Sequence, residues 1–266
     1  MTQSGHQWSK VKVYKMILRR FTEHVRNQNW FAVGLDLIVV VSGIYIGLQA
    51  DAWMLSKQDR VLEIEYLERL VSDMEESIVA QRELIETLDA SSVSIDYIAE
   101  LQRSRSLDGA DVERLIKGLN EVGWVATPVT NMVTVRELQS TGNISLIRDI
   151  SVRMAIGRFE RSHANAEFSA TQNLEFMAAA APEIMTWSFM APNVHGEHHS
   201  VIVSVDDSFG YTQQYDTERM LKNPDAPNIT SWISGWGKYH GSVLMQHQED
   251  TIAFRDLLIE KLAELR

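Results

Sequence analysis

Residues 30–50, WFAVGLDLIVVVSGIYIGLQA, form one apolar stretch interrupted only by Asp36, Ser42 and Gln49. A helix of these 21 residues is about 31 Å long at 1.5 Å per residue, which matches the hydrocarbon core of a bilayer. Core helices of soluble domains rarely run this long without charge on a solvent-facing side. The stretch therefore reads as a single N-terminal transmembrane helix, and the rest of the chain is organised about it.

The flanking charges orient the span. Six Lys and Arg precede Trp30, whereas the twenty residues from Asp51 to Leu70 hold only Lys57, Arg60 and Arg69. The basic side stays in the cytoplasm, so residues 1–29 are expected inside and residues 51–266 outside. Ala50-Asp51-Ala52 fits a signal-peptidase pattern. The long basic region before it and the length of the apolar run point instead to an uncleaved signal-anchor. Within the arm, Val11, Tyr14, Leu18, Phe21 and Val25 make an apolar helical stripe. Lys12, Lys15, Arg19, Arg20 and Arg26 are then placed to meet anionic headgroups of the inner leaflet.

Inside the span, Asp36, Val40, Gly43, Gly47 and Ala50 share one face. The Gly-x-x-x-Gly spacing lets two helix backbones approach closely. Ionisable groups in spans usually face protein or water, so Asp36 marks the same side for association or for an ion path. Snorkelling to the headgroups is its other possible role, since it stands six residues in from Trp30.

Charge and composition narrow the partners. The net charge is −11. Residues 1–29 carry six basic residues against Glu23, a net +5 that leaves −16 for the remainder. An acidic body argues against a nucleic-acid reader, which needs Lys and Arg against phosphates. With no cysteine there is no disulfide, thiol nucleophile or Cys-ligated metal.

After the span, Ile64, Leu67, Val71, Met74, Ile78, Gln81, Ile85, Leu88, Ser92, Ile95 and Ala99 recur at alternating spacings of three and four, the seam of a long amphipathic, coiled-coil-like helix. A break over 103–109 is followed by a short helix over 111–120 with Val112, Leu115, Ile116 and Leu119 inward. Next come a loop over 125–131, a helix from Met132 to a Gly142 cap, and a long helix N-capped by Asp149. Residues 201–205 read as a strand and 223–228 as a loop. A last helix over 230–265 has Trp232, Trp236, His240, Val243, His247, Phe254 and Leu258 on its buried stripe. The expected fold is mainly α: a transmembrane helix plus an extramembrane antiparallel bundle, with a small irregular or β insert at about 190–228.

Candidate chemistry is sparse. His195, His198 and His199, with Glu197, Asp206 and Asp207 nearby, could hold a divalent metal such as zinc, although the spacing is not HExxH; an exposed polar loop is the alternative. There is no G-x-S-x-G, G-x-G-x-x-G or P-loop, so no catalytic residues are assigned and no cofactor is expected apart from that metal. Trp232, Trp236 and Tyr239 read as core packing rather than a binding wall. Asp73, Glu75 and Glu76 read as a solvated face.

The run from Gly34 to Trp53, GLDLIVVVSGIYIGLQADAW, resembles the opening of the bacterial domain-of-unknown-function 6090 family, acidic residue at Asp36 included. Tyr66-Leu-Glu-Arg-Leu70 is similar to the start of that family's following helix. Arg136-Glu-Leu138-Gln-Ser140-Thr-Gly142, followed by Leu146-Ile147, resembles a second block. The resemblance covers about the first 150 residues. It implies a single-span protein with a helical outer domain, and it implies no activity; the expected location is the bacterial inner membrane with the C-terminal domain in the periplasm. The expected function is that of a scaffold, sensor or interaction module, more a non-enzyme than an enzyme. It would self-associate through its span and engage a membrane or periplasmic protein. An oligomeric proton or cation conductor using Asp36, and a metal-dependent periplasmic enzyme using His195, His198 or His199, are the alternatives.

Overall fold

A computed structural model describes residues 30–192, 201–203 and 211–266. The arm carrying Lys12, Lys15, Arg19, Arg20 and Arg26 lies outside the described residues, as do His195, His198 and His199. The fold is mainly α. Helices α1 (Trp30–Ser104), α2 (Val112–Glu121), α3 (Val133–Ser140), α4 (Ile150–Ile184), α5 (Thr217–Lys222) and α6 (Ala226–Leu265) are joined by a 3-10 turn at Asn143–Leu146 and by strands β1 (Ser188–Pro192), β2 (Val201–Val203) and β3 (Tyr211–Asp216). The chain divides into two compact units, Met1–Arg60 and Val61–Arg266.

In the first unit the described residues are helical throughout. Among the described residues, α1 is the helix long and apolar enough to cross a membrane; its apolar window has mean hydropathy 1.8 and none of it is buried against protein. Leu37, Ile38, Val41, Ile44, Ile46 and Leu48 all stand exposed. Just beyond the apolar stretch, the Lys57 ammonium lies 3.8 Å from the centre of the Trp53 ring, a pairing suited to the headgroup level.

The second unit is an antiparallel bundle. The eleven seam positions from Ile64 to Ala99 are all buried or half-buried. Against α1 the chain runs back in pieces. Asp111 N–H donates to the Tyr97 hydroxyl, Arg114 to the Val93 carbonyl and Asn131 N–H to Ser77 Oγ. Thr134 N–H then donates to Asp73, Arg69 pairs with Glu137, Asn143 donates to the Tyr66 hydroxyl, and Arg148 N–H donates to Glu63. The partner number on α1 falls steadily as the chain advances, so α2, the extended segment 122–132 and α3 together act as one broken antiparallel helix. The blocks around Tyr66–Leu70 and Arg136–Gly142 thus meet in space.

Helix starts follow their caps. Asp111, Asp149 and Asp216 each accept backbone N–H groups from the first turns of α2, α4 and α5, satisfying donors that a helix cannot satisfy itself. Gly142, at φ 75°, ends α3 in the left-handed region. Gly118 permits a close approach, because a Cβ there would lie 2.6 Å from the Ser94 carbonyl oxygen.

Four sequence expectations change. Glu75 and Glu76 are exposed as expected, with Glu76 accepting from the Asn131 amide at 2.8 Å, but Asp73 is half-buried and caps α3 from another helix. Val112 points outward, while Leu115 and Leu119 are buried. Trp232 and Tyr239 are 64% and 56% exposed, so they form an outer aromatic face with half-buried Trp236 rather than a core. The inward face of α6 is instead its small-residue face: Cβ atoms at Gly237 and Gly241 would each lie 3.4 Å from α1, at Ser92 and Leu88. Helix α6 also starts earlier than expected, at Ala226, with Pro227 in its first turn, where the absent N–H has no partner to lose.

The insert is an antiparallel sheet in the order β1-β3-β2, with Ser188 opposite Tyr215 and Val203 opposite Gln214. Tyr215 docks it: its hydroxyl donates to the Leu119 carbonyl at 2.8 Å. The ring is buried near Trp187, and burial raises the phenol pKa.

Candidate functional site

Two large apolar cores divide the bundle, and a smaller one of Leu88, Ala126, Ala166 and Leu244 lies between them. One gathers Leu67, Leu70, Met74, Val135, Leu138, Ile156, Phe159 and Leu258. The other gathers Ile95, Ile98, Leu115, Leu119, Met177, Trp187 and Ile233. Between them lies a buried polar layer that includes Gln81, His163, Ser169, His240, His247 and Thr251. Segment 122–132 crosses this layer without helix, so its backbone groups need partners from side chains.

Two histidines on α6 meet this segment, one at a backbone carbonyl and one at a side-chain hydroxyl. His240 Nε2 lies 2.8 Å from the Ala126 carbonyl oxygen, and its Nδ1 lies 2.9 Å from Ser169 Oγ. A carbonyl only accepts, so Nε2 carries the proton and the Ser169 hydroxyl donates to Nδ1. His247 has the opposite tautomer. Ser162 Oγ lies 2.6 Å from Asp250 Oδ2 and 3.1 Å from His247 Nδ1. Ser162 gives its proton to the carboxylate, so Nδ1–H donates to Ser162, and Nε2 accepts from the Thr130 hydroxyl at 2.9 Å. Gln81 Nε2 then donates to Thr130 at 3.4 Å and to Thr251 at 3.3 Å.

Burial lowers both imidazole pKa values, that of His247 to about 4 with nearby His163 adding to the effect. The His163 and His247 ring centres are 5.6 Å apart, and Phe159 stacks on His247 at 5.7 Å. Both histidines on α6 are therefore neutral at pH 7.

Ser162 and Asp250 open into a cleft of about 370 Å³ between α4 and α6, walled by Phe159, Phe254 and Leu257 and edged by Arg158 and Arg161. Serine, histidine and carboxylate lie within hydrogen-bonding reach in the wrong order for a nucleophilic triad. The carboxylate, not the imidazole, takes the serine proton, so the imidazole is not placed to activate Oγ. The arrangement can fix a tautomer and hold the extended segment.

The sequence-derived site residues stand apart from this layer. Asp36, Gly43, Gly47 and Ala50 are exposed on α1 in the first unit, and a Cβ at Gly43 or Gly47 would meet nothing within 4 Å. Among the described residues no group of three His, Asp or Glu is placed to hold a metal. His240 and His247 were legible as inward residues of α6. Ser162, Ser169, Thr130 and Asp250 carried no signal of their own, because their partnership depends on the register between elements. Comparison with protein-family models, with curated proteins and with solved structures finds no match to the chain.

Proposed function

We propose that the chain is a single-pass protein of the bacterial inner membrane, with its N-terminal arm in the cytoplasm and its helical bundle in the periplasm. In this reading it is a self-associating sensor or scaffold of the domain-of-unknown-function 6090 kind. The observation that carries this reading is the bare apolar surface of α1, with Leu37, Ile38, Ile46 and Leu48 all above 60% exposed. Aliphatic surface left in water costs roughly 25 cal/mol per Å², and lipid removes that cost. The open face of Gly43 and Gly47 is then the closest available approach for a second copy.

Crosslinking of the full-length protein in native membranes tests association. A dimer band lost on Gly43→Leu is expected; a monomer-only pattern in the wild type overturns it. A C-terminal alkaline phosphatase fusion tests topology. Activity in cells is expected, and an inactive fusion reverses the orientation.

A further inference from the structure

The buried histidines give the bundle a specific response to acid. Segment 122–132 is the non-helical part of the broken second helix; its hydrogen bonds to α6 are both to imidazoles, His240 on Ala126 and His247 on Thr130, beside a small apolar contact of Ala126 with Leu244. We propose that the middle of this segment is an acid-operated latch: neutral His240 and His247 hold it closed, and proton uptake by these imidazoles is coupled to its release from α6 while the two large apolar cores, which keep its ends Val122 and Met132, stay packed.

The coupling is one of linkage. In the closed state His247 is 1% exposed, and its surroundings offer a second proton poor compensation. On α4, His163 is a like charge when protonated and is itself 3.3 Å from Glu167. Arg158 and Arg161, also on α4, edge the cleft beyond Ser162. On α6, Asp250 is the one facing carboxylate among these contacts, and its Oδ2 is already engaged by Ser162. From α1 the neutral Gln81 amide reaches Thr130, and Glu76 is turned to Asn131. Around His240 the polar partners are the neutral Ser169 hydroxyl of α4 and the Ala126 carbonyl, while Asp96 of α1 pairs with Lys238, two residues earlier on α6. Opening the segment lets water reach the imidazoles, where protonation carries no burial cost.

The proton route needs no ionised intermediate. Thr130 is half-buried and its hydroxyl faces His247 Nε2. A hydronium ion can give a proton to Thr130 Oγ as the Thr130 proton passes to Nε2, which leaves a neutral hydroxyl and an imidazolium.

With the closed-state pKa of His247 at about 4 and an open-state value of about 6.5, the opening constant rises about thirtyfold between pH 8 and pH 5. Protons are then the stimulus of the sensor proposed above. The inference rests on that reading only for its use, since crosslinking tests association and amide exchange tests the latch, so each can fail alone.

The experiment is hydrogen exchange of the full-length protein in detergent at pH 8, 6.5 and 5, corrected for intrinsic exchange and read on peptides covering 122–132. Protection there is expected to fall about thirtyfold or more in the wild type, while peptides covering 64–74 hold theirs. In the His240→Gln, His247→Gln double variant the fall is expected to be less than threefold. A fall shared equally by all peptides, or one that persists in the double variant, overturns the latch. Should the double variant not fold, Thr130→Val decides: it is expected to leave 122–132 poorly protected already at pH 8 with 64–74 unchanged, and full protection of 122–132 at pH 8 overturns the proposal.

Discussion

His247 Nδ1 donates to Ser162 Oγ at 3.1 Å, seven residues along α6 and seven back along α4 from the 2.9 Å contact of His240 with Ser169. Equal steps in opposite directions are the signature of antiparallel helices meeting every second turn. The two contacts set the register of α4 and α6 through polar groups where aliphatic side chains would tolerate slippage. Directional polar contacts of this kind favour one arrangement over its alternatives.

The same layer makes global stability depend on pH. The folded-state pKa of His247 is depressed to about 4, below its unfolded value of about 6.5, so the unfolded chain binds more protons between those limits. Stability is therefore complete above about pH 6.5, falls as the pH drops toward 4, and loses nothing more from this group below that. The span of 2.5 units corresponds to a loss on the order of 3 kcal/mol. His240 acts in the same direction. Lowered carboxylates such as Asp96 and Glu137 add a separate loss at still lower pH. Urea unfolding of the full chain in detergent at pH 7.5 and 5 should show the decline, and His247→Gln should flatten most of it.

Glycine positions separate close packing from open helix. At Gly118 a Cβ would meet the Ser94 backbone oxygen at 2.6 Å, whereas at Gly235 it would meet nothing within 4 Å. Backbone cannot move aside cheaply, so Gly118→Ala is expected to destabilise by about 2–3 kcal/mol. Gly235→Ala removes an entropic penalty inside α6 and is expected to stabilise by about 0.5–1 kcal/mol. Denaturant midpoints of the two variants measured in parallel check both signs.

How far the sequence discloses this fold is clearest on α1 and α6. The three-four spacing from Ile64 to Ala99 exposes the α1 seam even though Gln81 and Ser92 occupy it, because nine apolar neighbours carry the period. On α6 the rule fails at Trp232: hydrophobicity assigns the aromatic side to the core, but α1 approaches too closely for large side chains there, and Ser234, Gly237 and Gly241 take the inner face. Strands β1 and β3 were not visible because Ser188–Pro192 and Tyr211–Asp216 lack a period-two apolar pattern. The histidine layer was half legible: His240 and His247 fall on the α6 stripe, but a serine on α4 looks like any exposed serine until the register is known.

Tyr215 tests how the β insert is fastened. Its hydroxyl donates to the Leu119 carbonyl at 2.8 Å from a fully buried ring. Tyr215→Phe keeps the packing against Trp187 and leaves that carbonyl without this donor. The expected cost is about 1–2 kcal/mol. It should appear as faster exchange in peptides of β3 and α2, with the Tyr66–Met74 region unaffected.

Glu63 offers the sharpest contrast between charge and hydrogen bonding. It is 2% exposed, and its Oε1 accepts the Arg148 backbone N–H at 2.6 Å, one residue before the Asp149 cap of α4. The Arg148 side chain reaches Oε2 only at 4.0 Å and is itself 48% exposed, so the ion pair is a minor part of the contact. The backbone bond is the major part, since an N–H buried without an acceptor costs about 1–3 kcal/mol. Glu63→Ala removes the acceptor and opens a space beside Leu67, and is expected to lose about 2–3 kcal/mol. Glu63→Gln keeps an oxygen in place and should recover most of that loss. If the two variants unfold at the same urea concentration, charge rather than the hydrogen bond holds this corner, and the anchoring of the α4 start must be assigned to the Glu63–Arg148 ion pair.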